Sequence, residues 1–391
     1  MNKTGFIIFI SVALVIYLSV NSYIFIRGLQ AIPVEKFYRT PLIIVFWLLV
    51  LAYPLGRILI AYDFSSLGSV VIYIGSLWLG YMVYLLLSVF FLDILRTVNH
   101  FVPLFPEVIR HNYTQSKLIA FYAVNLIVFI TVVFGFINAK YPVIKNVQVS
   151  VNKANASGKT LNIVAVSDIH LGTIISNSRV SRMVNLINSQ NPDIVLLAGD
   201  VIDEDVAPVI KNNLGAELTK IKARYGVYAI TGNHEYIGGV EPAAKYLSEH
   251  GINMLRDTAV LIDNSFYVIG REDLSKRSVN GGRGRKSLAE LSAPLDKTKP
   301  VIMLDHQPFH LEDAENNGID LQISGHTHHG QLWPFGLITN KVYEVSWGYK
   351  KRGNTNYYVS CGAGTWGPPI RTGNRPEIVN IKINFNGTTE K

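Results

Sequence analysis

The chain has 391 residues, of which 49% are hydrophobic and 16% are charged, and its formal net charge is +8. Soluble domains carry about 25% charged residues, so this composition excludes a disordered chain and argues against a wholly soluble protein. Residues 1–140 contain nine Lys/Arg and four Asp/Glu, against 27 and 24 in residues 141–391. We attribute the basic excess to membrane flanks and expect no nucleic-acid partner, because a nucleic-acid binder concentrates basic residues on its soluble face.

Four apolar stretches in residues 1–140 are long enough to cross a bilayer as helices, which takes about 20 residues. They cover residues 4–26, 42–62, 67–92 and 118–137. The first is too long for the core of a signal peptide and no small-residue cleavage site follows it, so we expect it to be retained. The second and third are joined only by residues 63–66, which predicts a tight helical hairpin.

The charged residues near these spans bear on the class and orientation of the protein. No acidic or basic residue lies deep inside a span, which favours an anchor over a transporter. Four spans place the N-terminus and residues 141–391 on the same side of a cell membrane. The distribution of Lys and Arg between the two sides leans toward an extracytoplasmic C-terminal domain. The single cysteine, Cys361, excludes an intrachain disulfide and a cysteine zinc cluster.

Residues 141–391 read as a separate α/β domain, because short apolar runs alternate there with polar helical segments. The spacing predicts helices over residues 178–188, 212–224 and 242–250. It also predicts a first strand over residues 147–151 and a last one over 378–385. Residues 152–159 read as a surface turn, and the basic, glycine-rich residues 276–286 as a flexible loop.

Five further apolar runs end directly in polar clusters. The runs cover residues 161–166, 194–198, 227–230, 301–304 and 321–323. The clusters that follow them contain Asp168 and His170, Gly199 and Asp200, Asn233, His234 and Glu235, His306, and His326 and His328. Any one of these histidines alone is more simply read as structural. Because open α/β sheets bind ligands beyond the carboxyl ends of their strands, the five clusters together predict one shared site.

In this order the motifs resemble those of the calcineurin-like metallophosphoesterase superfamily, and in particular its membrane-associated bacterial branch. The resemblance covers residues 160–385. It implies two packed mixed β-sheets flanked by helices, with the site at the carboxyl ends of the strands, behind an N-terminal region of four transmembrane helices.

The resemblance also implies two divalent metal ions. Asp168, His170 and His328 would hold one ion. Asn233, His306 and His326 would hold the other, and Asp200 would bridge the two. A ligand set of Asp, His and Asn without thiolate suits manganese, iron or zinc. A hydroxide bridging the ions would attack the phosphorus.

Beside the metals, His234 is the expected phosphate contact and general acid, with Glu235 orienting its imidazole. Asp203 is expected to contact the metal ligands without itself binding a metal. Weaker candidates for substrate contacts are Trp366, Arg371, His329, Arg283 and Arg285. Many relatives have Gly at the position of His329, so any role of the His329 side chain would not be shared with them.

These observations predict a membrane-anchored dimetal hydrolase of phosphoester or pyrophosphate bonds. Its expected partners are the bilayer and a phosphorylated, lipid or lipid-linked substrate. One alternative is a cytoplasmic-face pyrophosphatase acting on a nucleotide-diacylglucosamine precursor of lipid A. Alternatives of other classes are a non-catalytic metal-binding sensor or scaffold and a transporter with a regulatory hydrolase domain. The sequence leaves the oligomeric state open.

Overall fold

A computed structural model describes residues 3–153, 160–279 and 283–386, and the chain forms two compact units. The N-terminal unit comprises residues 1–136 with residues 367–370. The C-terminal unit comprises residues 137–366 and 371–391. The sequence pattern places the corresponding boundary at residue 140 and does not anticipate that residues 367–370 group with the first unit.

The N-terminal unit is built from four long helices. They are α1 (Lys3–Ala31), α2 (Arg39–Ala61), α3 (Ser65–Phe101) and α5 (Tyr113–Ala139), and the short α4 (Glu107–His111) precedes the last of them. All four are long and apolar enough to cross a membrane, as the sequence predicts. The third helix continues nine residues beyond its predicted end at residue 92 and ends at Phe101.

In the described residues of the C-terminal unit, twelve strands form two six-stranded sheets. The strands are β1 (Val143–Asn152), β2 (Thr160–Val166), β3 (Ile194–Ala198), β4 (Val227–Ile230), β5 (Ile252–Met254), β6 (Thr258–Ile262), β7 (Phe266–Gly270), β8 (Val301–Leu304), β9 (Leu321–Ser324), β10 (Gly348–Arg352), β11 (Thr355–Val359) and β12 (Glu377–Asn386). Their order is β1-β12-β2-β3-β4-β5 in one sheet and β10-β11-β9-β8-β7-β6 in the other. Both sheets are mixed, since β12 runs antiparallel to β2, β6 to β7 and β10 to β11.

Alternating side chains of the central strands explain how the sheets pack. On β2, Ile163 and Ala165 enter an apolar core that also contains Ile302 and Ile323 of the second sheet. Val164, the residue between them, faces the other way into a core shared with the helices. Each central strand is therefore covered on both faces, which is why its sequence reads as a continuous apolar run.

Short helices connect the strands. They are α6 (Asn177–Ser189), α7 (Ala207–Lys211), α8 (Gly215–Leu218), α9 (Asn233–Gly238), α10 (Val240–Glu249), α11 (Lys276–Val279), α12 (Leu288–Ser292), α13 (Leu311–Asn316) and α14 (Gly336–Val342). The helix predicted over residues 212–224 is wrong. Asn213 adopts a left-handed backbone with φ of 47° between α7 and α8, and the second of these helices ends at Leu218. The predicted turn over residues 152–159 lies mostly outside the described residues, as does the middle of the basic loop.

Candidate metal centre

The carboxyl ends of five parallel strands, from both sheets, bring the predicted ligands together. β2, β3 and β4 contribute from the first sheet, and β8 and β9 from the second. Within the described ranges, three groups of side chains have candidate ligand atoms within 4.8 Å of one another. They are Asp168, His170 and His328, then Asp200, His306 and His326, and finally His170, Asp203 and His234.

The first group is almost completely buried. The Nε2 atoms of His170 and His328 lie 3.0 Å apart, and Nε2 of His328 lies 3.4 Å from Oδ1 of Asp168. Two ring nitrogens that face each other at this distance need a proton or a cation between them. Burial, together with the neighbouring His170 and Arg371, holds the pKa of His328 well below its ordinary value. The ring is therefore neutral, which is the form that binds metals.

The second group converges in the same manner. Nε2 of His306 lies 3.1 Å from Oδ2 of Asp200 and 3.2 Å from Oδ1 of Asn233. Nδ1 of His326 lies 2.8 Å from the same Asn233 oxygen. The two groups offer imidazole nitrogen, carboxylate and amide oxygen without sulfur, a donor set that fits two divalent transition-metal ions. The residues present therefore fit the metals that the sequence pattern implies.

The backbone at these strand ends is strained. Asp168, His170, Asp200, His326 and His328 all have left-handed backbone angles, with φ between 45° and 70°. Such conformations cost about 1–3 kcal/mol each and persist where the surrounding structure enforces them, which is commonly at functional sites. Five of the seven predicted ligands share this feature, and no sequence pattern reveals it.

Glycines of the motifs allow the ligands to approach one another. A Cβ atom on Gly232 would lie 2.1 Å from Oδ1 of Asp200, the oxygen that accepts a hydrogen bond from the backbone N–H of His234. On Gly199, which has φ of 86°, a Cβ atom would lie 2.6 Å from Nδ1 of His306. Any side chain at either position would displace a ligand.

His234 lies beside the first group, and Asp203 is the residue that orients it. Nδ1 of His234 lies 2.8 Å from Oδ1 of Asp203, and Nδ1 of His170 lies 3.4 Å from the same oxygen. Burial lowers the pKa of His234, but the carboxylates of Asp203 and Asp200 outweigh that effect and raise it to about 9. The same two histidines hold the pKa of Asp203 below its usual range despite its burial.

The predicted orienting role of Glu235 requires correction. Its carboxylate accepts hydrogen bonds from the backbone N–H groups of Asp200, Ile202 and Gly232, at 3.2, 2.9 and 2.7 Å. Glu235 therefore fixes the loop that carries Asp200 and does not contact the imidazole of His234. Its place next to His234 in the sequence suggested contact, but successive side chains of α9 point in different directions.

Arg371 also differs from its predicted place at the substrate. Its side chain is fully buried, and its guanidinium lies 3.0 Å from Nδ1 of His328 and donates to the carbonyl oxygen of Cys361 at 2.7 Å. It donates further to the carbonyl oxygen of Gly364 and to Asn374. Arg371 therefore orients His328, a predicted metal ligand. It does not serve as a substrate contact, because all of its side-chain nitrogens already have acceptors in the protein.

The other candidate substrate contacts occupy varied positions. The ring of Trp366 is 55% exposed and lies 6.1 Å from that of His234. Nδ1 of His329 lies 2.7 Å from the hydroxyl of Ser346. Arg285 is held by the buried carboxylate of Asp305 at 2.6 Å, whereas Arg283 is exposed. Of these residues, Trp366 has the position best suited to meet a substrate.

A group of exposed apolar side chains, here called the apolar rim, was not anticipated from the sequence. It consists of Trp333, Leu337, Ile338, Val342 and Trp366, each between 55% and 65% exposed. Gln331 joins this segment to Trp366 through hydrogen bonds of 3.0 and 2.9 Å. Ser346 links Asn340 of α14 to His329. The sequence feature that could have predicted the rim is the run of large apolar residues that follows the last histidine motif outside any strand.

A fold of two mixed sheets with these groups at its strand ends defines a metallophosphoesterase. Residues 161–330 match the family model described as calcineurin-like phosphoesterase. An uncharacterized metallophosphoesterase of Aquifex aeolicus is 32% identical over 59% of this chain and 87% of its own length. The chain belongs to the calcineurin-like phosphoesterase family.

Two further relatives extend the comparison. An uncharacterized metallophosphoesterase of Helicobacter pylori is 31% identical over 62% of this chain and 64% of its own length. A transmembrane protein with metallophosphoesterase domain from Danio rerio is 32% identical over 66% of this chain and 61% of its own length. The chain thus matches slightly less than two thirds of each of these two proteins. The second relative is named as a transmembrane protein, and four helices of this chain are long and apolar enough to cross a membrane.

Proposed function

We propose that this protein is a membrane-anchored phosphoesterase that hydrolyses a phosphoester or pyrophosphate bond of a membrane lipid or a lipid-linked substrate. The observation that carries the lipid assignment is the apolar rim next to the metal centre. Exposed tryptophan and aliphatic side chains at one place on a domain are typical of surfaces that meet a membrane or an apolar ligand. Trp366 belongs to this rim and lies beside His234, so an acyl chain on the rim would leave its phosphate near the metal ligands.

The chain's own residues would divide the chemistry among them. Two divalent ions, when bound, would supply the hydrolytic nucleophile at neutral pH and neutralise charge on the phosphoryl oxygens. Asp203, whose Oδ1 lies 2.8 Å from Nδ1 of His234, would keep His234 protonated and would leave Nε2 to face a substrate oxygen. His234 would donate that proton to the leaving oxygen. Arg371 and Glu235 would hold the ligands in place without touching the substrate.

The first experiment offers the purified, manganese-loaded protein a panel of phospholipids, isoprenoid pyrophosphates and nucleotide-linked diacylglucosamine in vesicles. Asp200→Asn and metal-stripped protein are the controls. Cleavage that is lost in both controls identifies the bond. Activity on a small soluble diester without cleavage of any lipid contradicts the lipid assignment. A biological effect that survives Asp200→Asn supports a scaffold instead.

A second experiment tests the apolar rim directly. Leu337→Ser combined with Ile338→Ser should lower hydrolysis of vesicle-borne substrate about tenfold or more, since each buried aliphatic side chain contributes about 1.5–3 kcal/mol of transfer free energy. Hydrolysis of a soluble diester should not change. Ile210→Ser is the matched control, because Ile210 is also exposed, at 54%, but lies outside the rim. Equal loss on both substrates would show that the rim is only structural.

The extracytoplasmic orientation is part of the same proposal and is supported by the distribution of Lys and Arg around the spans. The one native cysteine, Cys361, is buried, so a cysteine introduced at the exposed Ile210 reports the side of the domain. A membrane-impermeant thiol reagent should label Ile210→Cys in intact cells. Labelling only after permeabilisation would place the domain in the cytoplasm and favour the nucleotide-lipid substrate.

A further inference from the structure

The four long helices of the N-terminal unit line a groove of about 1170 Å³. The groove follows α5 from Tyr113 to Phe136, a length of about 35 Å at about 1.5 Å per residue. This length matches the hydrocarbon core of a bilayer, which is about 30 Å thick. The volume exceeds the range of about 300–1,000 Å³ that is usual for small-molecule pockets. A molecule with a long hydrocarbon chain therefore fits the groove.

The groove is amphipathic along its length. Its walls are mainly aliphatic and aromatic, and the rings of Phe46 and Trp78 pack at 5.1 Å on one side. Its charged lining residues are Arg27, Asp93, Arg96 and Lys117. All four are contributed by the end of α1, the end of α3 and the start of α5, so they share one end of the groove.

The charges at this end do not cancel. Asp93 is shared by two arginines, because Arg27 and Arg96 lie 2.7 and 3.0 Å from its two oxygens. Lys117 donates to the backbone carbonyl oxygen of Gln30 at 3.0 Å, a neutral acceptor. Three cations and one carboxylate leave a net charge of +2. The side chains of Arg27 and Arg96 are 33% and 47% exposed, so they remain accessible to a further anion.

We propose that this groove binds an anionic phospholipid. Its phosphate headgroup would lie at Arg96 and Lys117, and an acyl chain would extend past Phe46 and Trp78. Charge complementarity selects this occupant over a zwitterionic lipid, whose headgroup brings its own cation toward the same positive cluster. The proposal does not depend on the hydrolytic activity, and it assigns the helices a binding function in addition to anchoring.

Native mass spectrometry of the full-length, delipidated protein tests the proposal, with phosphatidylglycerol and phosphatidylcholine offered in equal amounts. We expect one phosphatidylglycerol to stay bound under conditions that remove phosphatidylcholine. Arg96→Gln combined with Lys117→Gln should weaken phosphatidylglycerol binding about thirtyfold, since each cation near an anionic headgroup contributes about 1 kcal/mol. The Arg27–Asp93 pair stays intact in this variant. Arg110→Gln, a charge change outside the groove, should have no effect. Equal retention of the two lipids would overturn the proposal.

A matched pair of substitutions on α5 tests the apolar part of the groove. Val124 lines the groove, whereas its neighbour Ala123 is exposed outside it. Val124→Trp should reduce retention of phosphatidylglycerol at least tenfold by filling the groove, and Ala123→Trp should leave it unchanged. Both variants add the same side chain to the same helix, so Ala123→Trp controls for the substitution itself. A variant that misfolds would also lose metal content and stability in detergent. Undiminished retention in Val124→Trp would show that the lipid lies elsewhere.

Discussion

The metal centre of the C-terminal unit and the charged end of the groove in the N-terminal unit hold their polar groups differently. At the metal centre the side chains are short and buried, and backbone donors orient them: Asp168 accepts from the backbone N–H of His326 with both oxygens, at 3.0 and 3.1 Å. At the groove the side chains are long and partly exposed. Fixed geometry suits a chemical step, whereas adjustable cations suit recognition of a headgroup. The two sites should therefore respond independently to substitution.

The largest effect is expected for Asp200→Asn, because Asp200 belongs to a candidate metal-binding group and the sequence motifs predict that it would bridge two ions. Loss of its charge should bring hydrolysis to background and lower the metal content of the protein. Binding of phosphatidylglycerol in the groove should stay as in the unsubstituted protein. Parallel assays of turnover, bound metal and bound lipid on one preparation test this separation. Retained turnover would rule out the bridging role.

His234→Ala should keep the metals and lower turnover about 10²-fold or more, because the proton donor is lost while the ligands remain. Metal analysis alongside steady-state kinetics is the measurement. Normal turnover at normal metal content would exclude the acid role of His234.

Asp203→Asn should lower turnover about tenfold to a hundredfold, since partners that orient metal-site histidines contribute effects of that size. The amide cannot hold His234 protonated, so the fall in activity at high pH should begin at a lower pH than in the unsubstituted protein. The pH profile of kcat is the measurement. An unshifted profile would contradict the orienting role that the structure gives to Asp203.

Asp257 offers a test of a buried carboxylate outside either site. It accepts hydrogen bonds from the backbone N–H of Glu272 and from Lys276, at 3.0 and 2.8 Å. Burial raises its pKa, but Lys276 and the backbone donors outweigh burial and lower it. Its stabilisation is therefore present above about pH 4, the unfolded value, and is lost as the pH falls through the lower folded value. Asp257→Asn should cost about 1–3 kcal/mol at neutral pH and flatten this acid-side decline. Thermal unfolding in detergent between pH 3 and 7 measures both the loss of stability at neutral pH and the decline of stability at acid pH.

The smallest effect on catalysis is expected for Lys117→Gln. Hydrolysis of a soluble diester should stay within about twofold of the unsubstituted protein, because Lys117 belongs to the groove and to none of the candidate metal-binding groups of the described residues. A larger loss would show that the groove and the metal centre are coupled, and the two sites would then have to be treated as one system.

The sequence predicts strand ends well and side-chain partners poorly. The bounds of β3, β4 and β8 agree with the predicted runs, because strands covered on both faces must be apolar throughout. The predicted ligands lie close together because they come directly after those strand ends. The helix over residues 212–224 failed because the spacing of Leu214 and Leu218 is helical even where the chain turns between two short helices.

The missed partners have a common physical reason. Glu235 and Arg371 were assigned from residue type and position in the chain, but both are buried, and each has a partner that lies 33 or 43 residues away in sequence. Such pairings depend on how loops pack against one another. The sequence pattern does not predict the apolar rim, because α14 lies outside the alternating pattern of strands and helices.

The left-handed backbone at five of the predicted ligands has a consequence for the evolution and engineering of this domain. Glycine adopts such angles without the steric cost that Asp or His bears, so replacing His328 or Asp200 with glycine would relieve local strain. The preference of the backbone and the predicted ligand role of the side chain therefore oppose each other at these five positions.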